Sequence, residues 1–139
     1  MPTTLQVGVK IFLRNPEGKY LLVQRSSEKY KNARGHWDIV GGRIDPGSPL
    51  VENLRREVHE ETGLDITSEP ILIHAQDIML PERDLHVIRL TYVGNTSGEP
   101  VLDTMENISY TWISPSEIRD HDDLDIFVND VIEKGLLPI

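Results

Sequence analysis

The sequence predicts an α/β sandwich, a central mixed β-sheet with helices covering both faces. Two observations carry that expectation. Segments with the two-residue apolar period of strands occur before residue 41 and again after residue 70, and segments with a helical apolar period follow a glycine-rich loop and close the chain. A length of 139 residues is that of one domain with a proper core, so residues 1–139 are read as a single domain.

Residues 5–13 place Leu5, Val7, Val9, Ile11 and Leu13 on one face, the pattern of a strand buried on one side. Asn15-Pro16-Glu17-Gly18 is a turn by composition, and residues 20–25 read as a second strand forming a hairpin with the first. Residues 26–36 are polar and without period, and so read as a loop. Tyr30, Lys31, Arg34 and His36 are available there as ligand contacts, although a lone histidine is more often a surface residue. Trp37-Asp38-Ile39-Val40 is a short strand that delivers a glycine pair, with Trp37 read as a core residue.

The next helix is marked at both ends. Ser48 is placed to cap it, Pro49 suits its first position, and Gly63 stops it. Its apolar stripe, Leu50, Val51, Leu54 and Val58, packs on the sheet, while Glu52, Arg55 and His59 are expected in water. At about 100° per residue, Glu61 and Glu60 lie roughly 40° and 60° to either side of Glu57, so three carboxylates share one arc. Two readings fit that crowding. It is either a ligand set for a hard divalent cation such as Mg²⁺, or a solvated face braced by the i, i+4 ladder of Glu52, Arg56 and Glu60.

Two further strands are expected at residues 70–77 and 85–93, and a last one at 109–113. A short helical turn starts at Ser114. The acidic run from Asp120 to Asp125 lacks the regular spacing of a calcium loop and reads as the start of a helix, whose stripe is Leu124, Phe127, Val128, Val131 and Ile132, ending at Gly135.

Composition narrows the function. A formal net charge of −9 without a basic cluster argues against a nucleic-acid duplex or a membrane surface as partner. The absence of cysteine excludes a disulfide framework, thiolate chemistry and a Cys-ligated zinc site. Met1-Pro2-Thr3-Thr4 passes directly into the first alternating segment and no apolar run approaches a membrane span, so a soluble cytoplasmic protein, monomer or homodimer, is expected. An acidic protein that binds a polyanion must meet it locally, through cations held on the acidic patch and a few arginines.

The string from Gly42 to Leu64 resembles the Nudix hydrolase signature. Gly42, Arg56, Glu57, Val58, Glu60, Glu61, Gly63 and Leu64 match its defined positions, and Ser48 stands where the family has its first glutamate. Val40 replaces a proline that many members carry before the glycine pair. The resemblance implies a Nudix-type α/β/α sandwich that hydrolyses a diphosphate linkage in a nucleoside diphosphate joined to another group. It implies Mg²⁺, or Mn²⁺ in its place, held by Glu57, Glu60, Glu61 and the Gly41 carbonyl, with Arg56 orienting the carboxylates. Arg25 and Arg43, with Gly42, are the implied contacts for a small nucleotide substrate. Arg25 reads equally as an edge-strand arginine in solvent, and Glu106 as a metal-site or base glutamate or as an ordinary loop acid. Ser48 cannot replace a carboxylate as ligand or base, which leaves a nucleotide-binding module with weak turnover as the alternative function. Substrate choice among nucleoside triphosphates, dinucleoside polyphosphates and nucleotide sugars stays open, because no downstream marker discriminates them.

Overall fold

The computed structural model describes residues 2–26 and 36–138. Tyr30, Lys31 and Arg34 lie outside the described residues. Seven strands form one sheet: β1 (Thr4–Arg14), β2 (Tyr20–Arg25), β3 (Trp37–Asp38), β4 (Val40–Arg43), β5 (Ile71–Leu80), β6 (Leu85–Asn95) and β7 (Asn107–Ile113). Among the described residues three α-helices accompany them, α1 (Leu50–Thr62) between β4 and β5, and α2 (Pro115–Arg119) and α3 (Ile126–Glu133) after β7. The order is β3-β2-β1-β6-β5, with β4 added on β1 and β7 on β2. β1 and β6 run parallel over their whole length and every other pairing between named strands is antiparallel, so the sheet is mixed.

Side chains alternate across this sheet and both faces are covered. Val9, Ile11, Leu13, Leu21 and Val23 pack with Leu54 and Val58 of α1 on one face. Phe12, Tyr20 and Leu22 pack with Ile118, Val128 and Val131 of α2 and α3 on the other. Double coverage explains why Phe12, an off-pattern residue in a one-sided strand, is completely buried. Leu5, expected in the core, lies near the start of β1 and is 59% exposed. Trp37 is half-buried against the second cluster and stacks edge-on with His121.

The expected hairpin is present, but only beside its turn. β1 and β2 pair only at Arg14 and Tyr20, beside the turn. Beyond that point they part: Gly8 to Ile11 of β1 pair with β4, and β2 pairs with β7 and β3. The parting opens the sheet where the glycine loop enters it. Lys10, which alternates with Val9 and Ile11 and so starts from the opposite face, lines the same cavity as Glu61 of α1.

A buried ion network closes the far side of this opening. Asp38 accepts from Arg89 Nη2 at 3.0 Å and from Lys10 Nζ at 3.2 Å, with Arg25 Nη1 at 3.8 Å. Asp125, which caps α3 through the amides of Phe127 and Val128, also receives Arg25 Nη2 at 2.6 Å and Arg89 Nη1 at 3.3 Å. Burial pushes the Asp38 carboxyl up, but Arg89, Lys10 and Arg25 together outweigh it and hold it well below the usual carboxylate range. No described helix is long and apolar enough to cross a membrane.

Removing a partner from a buried ion cluster strands the remaining charges without water. Asp38→Ala is expected to lower unfolding stability by about 3–5 kcal/mol at neutral pH, measured by urea denaturation. A loss under about 1 kcal/mol would show that the network is solvated, as surface pairs are.

Candidate active site

The site is built where α1 meets β4. Gly41 sits at φ 144° opposite Lys10, and a Cβ on it would lie 2.0 Å from the Val9 carbonyl oxygen, so only glycine permits this strand pairing. Its amide donates to Glu61 Oε2 at 3.0 Å. A Cβ on Gly42 would lie 2.9 Å from Glu57 Oε2. The two glycines therefore let bare backbone abut two carboxylates, one residue each.

Packing holds α1 in register with that backbone, since Leu54 and Val58 are wholly buried. Leu50, expected in the stripe, is exposed in the first turn. Ser48 does not cap the helix as expected. The N-cap position is Pro49, with no side-chain cap, while the Ser48 amide bonds to the Asp45 carbonyl in the preceding turn. That turn is tied to the helix by Asn53 instead: its Oδ1 accepts from the Asp45 amide at 3.1 Å and from Arg56 Nη2 at 3.0 Å. Arg55, expected in water, donates to the carbonyls of Ile66 and Ser68 and so fastens the chain leaving the helix.

Arg56 bridges the acids. It lies 2.9 Å from Asp45, 3.1 Å from Glu60 and 3.5 Å from Glu57. Glu60 is exposed on this arginine, whereas Glu57 is half-buried and Glu61 buried. Burial raises the Glu57 carboxyl, with Glu60 and Asp45 adding to the rise against Arg56 and Lys10. Glu61 is pushed up to about 7, chiefly by burial, with Glu57 and Glu106 raising it further while Lys10 and the Gly41 amide oppose them. Glu106 is thus close enough to act on Glu61 electrostatically. Its segment is anchored on the end of α1, where the Val101 and Asp103 amides donate to the Thr62 and Glu61 carbonyls.

The remaining residues of interest are spread around this centre. Arg25 is 16% exposed and engaged with Asp38 and Asp125, neither an edge arginine in solvent nor an unneutralised charge. Arg43 is exposed at the end of β4 and donates to Gln6 Oε1. His36 pairs with Asp123 at 3.2 Å. Lys10, Asp38, Asn53 and Asn107 belong to the site or its support without having been singled out in the sequence. Lys10, Arg25, Asp38, Gly41, Glu61 and Asn107 share a cavity of about 40 Å³, room for water rather than for a nucleotide.

Among the described residues no three Asp, Glu or His side chains converge at metal-ligand spacing, and Glu60 is engaged by Arg56 at 3.1 Å. The donor set nevertheless fits a hard divalent cation. Hard carboxylate oxygens are buried together at an electrostatic cost that a cation would remove.

The NUDIX domain model matches residues 4–134. The chain belongs to the Nudix hydrolase family. Among relatives, it is 31% identical over 125 residues to the mouse 8-oxo-dGDP phosphatase NUDT18, covering 84% of this chain and 35% of that protein. The chain thus spans about a third of the length of that relative and of its human counterpart. It is 28% identical over 130 residues to the nucleoside triphosphatase NudI of Escherichia coli, covering 87% of this chain and 91% of that one. Its fold is similar to the crystal structure of a MutT protein from Methanosarcina mazei Go1, with TM-score 0.79, 28% identity, and 96% and 94% of the two chains covered. Membership makes the glycine–carboxylate junction the place to look for this Nudix protein's chemistry.

The raised Glu61 carboxyl fixes the sign of a pH effect. A carboxyl whose folded pKa lies above its ordinary 4.5 binds its proton more tightly in the fold, so its contribution is fully present below 4.5 and is lost as pH rises to about 7. With chelator present, stability is expected to fall between pH 4.5 and 7.5 by about 3 kcal/mol at most, at roughly 1.4 kcal/mol per pKa unit. Glu61→Gln should flatten that slope, and Mg²⁺ should raise the melting temperature of the wild type at pH 7.5 more than that of Glu61→Gln. Equal slopes in both proteins would show that Glu61 titrates normally.

Proposed function

We propose that this Nudix protein is a cytoplasmic enzyme that hydrolyses the diphosphate linkage of a nucleoside diphosphate joined to a further group, a nucleoside triphosphate being the first case to test. The observation that carries the reading is the junction of Gly41 and Gly42 with the Glu61 and Glu57 carboxylates. It is a rigid, acid-rich floor where a polyphosphate and a cation can meet. The names of the mouse and Escherichia coli relatives, both acting on nucleotides, support the substrate class.

Glu57, Glu60, Glu61 and the Gly41 carbonyl are the proposed holders of Mg²⁺, with Mn²⁺ able to replace it. When bound, the ion neutralises phosphate oxygens and makes water a better nucleophile. Arg56 keeps Glu57 and Glu60 oriented. Glu61, with a pKa near neutrality, and Glu106 beside it are the groups placed to accept a proton from the attacking water. Arg43, exposed next to Gly42, meets the phosphates, while Arg25, balanced by Asp38 and Asp125, lines the cavity wall without supplying net positive charge.

One observation favours a second reading. Position 48 supplies no carboxylate, and the Ser48 side chain does not cap α1 either, which suits a module that binds nucleotide and turns it over poorly. Against it, Asp45 lies three residues earlier and pairs with Arg56, so a carboxylate is present at this end of the helix.

A panel of nucleoside triphosphates, oxidised guanine nucleotides, dinucleoside polyphosphates and nucleotide sugars, assayed with Mg²⁺ for phosphate, pyrophosphate and nucleotide release, tests the proposal. Glu61→Gln should cost at least about a hundredfold in kcat on whichever substrate is turned over. Binding of the panel without turnover by the wild type would establish the second reading, and a near-normal rate in Glu61→Gln would remove Glu61 from the reaction.

A further inference from the structure

A second cavity, larger than the one at Glu61, lies away from the carboxylates among the described residues. It measures about 420 Å³ and is lined by Arg14, Asn15, Pro16, Gly18, Thr67, Asn95, Thr96 and Ser97. None of these residues overlaps the walls of the catalytic cavity. It forms where the parallel strands β1 and β6 end side by side, Arg14 opposite Asn95, four residues or roughly 13 Å along β1 from Lys10.

Its lining has an excess of donors. In a protein of net charge −9, none of these eight residues is an acid. Among the described residues the Arg14 guanidinium has no carboxylate or hydrogen-bond partner; it lies over the adjoining turn, with Nη2 3.4 Å from the place of a Cβ on Gly18. The Asn15 side-chain oxygen Oδ1 accepts from the amides of Glu17 and Lys19, which leaves its NH₂ group as a donor. Three backbone acceptors nearby are engaged: Arg14 O by the Thr96 amide, Asn95 O by the Thr67 amide and Asp65 O by the Thr96 hydroxyl. What the cavity offers is a guanidinium, an amide NH₂ and the hydroxyls of Ser97 and Thr67, a set that suits a tetrahedral oxyanion.

We propose that this cavity is a second, non-catalytic site for a phosphoryl group, borne by inorganic phosphate or by a phosphate monoester. The site is also joined to the active centre through the chain. Residues 65–68, which leave α1 only a few positions after Glu61, are held to its walls by the Thr67 amide to Asn95, the Thr96 hydroxyl to Asp65 and the Asn95 amide to the Ser68 hydroxyl. An occupant braces the exit of the carboxylate helix.

The test uses the full chain in chelator, where the catalytic carboxylates repel anions, and follows backbone amide and arginine Nε resonances by NMR. Inorganic phosphate and a nucleoside monophosphate are titrated separately, against sodium chloride at matched ionic strength. Saturable shifts at Arg14 Nε and the amides of Thr67, Thr96 and Ser97 are expected, weakened at least about tenfold in Arg14→Gln. Ser97→Asp, which places an acid in the cavity and leaves Arg14 intact, should abolish them. Saturation by inorganic phosphate and by the monophosphate at similar concentrations assigns the site to the phosphoryl group alone; tighter saturation by the monophosphate assigns it to the ester. Shifts that sodium chloride reproduces, that persist in both variants, or that do not occur would overturn the proposal.

Discussion

The structure depends on how closely backbone can approach backbone at Gly41. A side chain there would run into the Val9 carbonyl, so the pairing of β4 with β1 requires glycine, and that pairing decides everything about the centre. It takes the place on β1 that β2 would otherwise occupy, and thereby opens the sheet. It also aims the Gly41 amide at Glu61 and clears the space over Gly42 for Glu57. A Cβ at Gly41 would meet the Val9 carbonyl, and one at Gly42 the Glu57 carboxylate. The steric limit and the chemistry are one constraint.

The opening separates two electrostatic environments. On the α3 side, Lys10, Arg25 and Arg89 are matched with Asp38 and Asp125, and the dominant consequence is structural: α3 is capped, and β1, β2, β3 and β6 are clamped at a common point. On the α1 side the balance is reversed. Glu57, Glu60, Glu61, Glu106 and Asp45 act on one another, with Arg56 and Lys10 as counter-charge, and Glu57 and Glu61 carry raised pKa values. Stability alone would not favour such a cluster, since burying like charges costs free energy that an apolar face would not. A bound cation or a proton is what removes such a cost.

Much of this was legible in the sequence where the determinants are local. The alternation of β1, the stop at Gly63 and the spacing of Glu57, Glu60 and Glu61 are all short-range signals, and the structure has the elements they describe; of the acidic run before α3 only Asp125 belongs to the helix start, as its cap, and Asp120, Asp122 and Asp123 precede it. What was not legible is non-local. Arg25 reads as a phosphate contact or a solvent arginine until Asp125, a hundred residues later, is placed against it. Lys10 reads as the polar side of a strand, and only the parting of β1 from β2 brings it beside Glu61. Asn53 was invisible because an asparagine on a helix carries no pattern, and its work is to hold the Asp45 turn. Ser48 failed for the opposite reason. A good capping residue was in the right place, but the turn closed by its own amide on Asp45 leaves Pro49 at the cap.

That turn also alters how the departure from the family signature is understood. A missing carboxylate at position 48 would matter most if Arg56 were left without an anion at the start of the helix. Arg56 instead takes Asp45 at 2.9 Å while still reaching Glu57 and Glu60, and Asn53 fixes both the turn and the guanidinium. Asp45 is mostly exposed, so the pair contributes little to stability, on the scale of surface ion pairs. Its effect is directional. Asp45 engages the Arg56 guanidinium from the loop side, and Asn53 and Glu60 engage it from the helix, beside Glu57 at 3.5 Å. The serine removes one acid from the signature without releasing the geometry that the other three depend on.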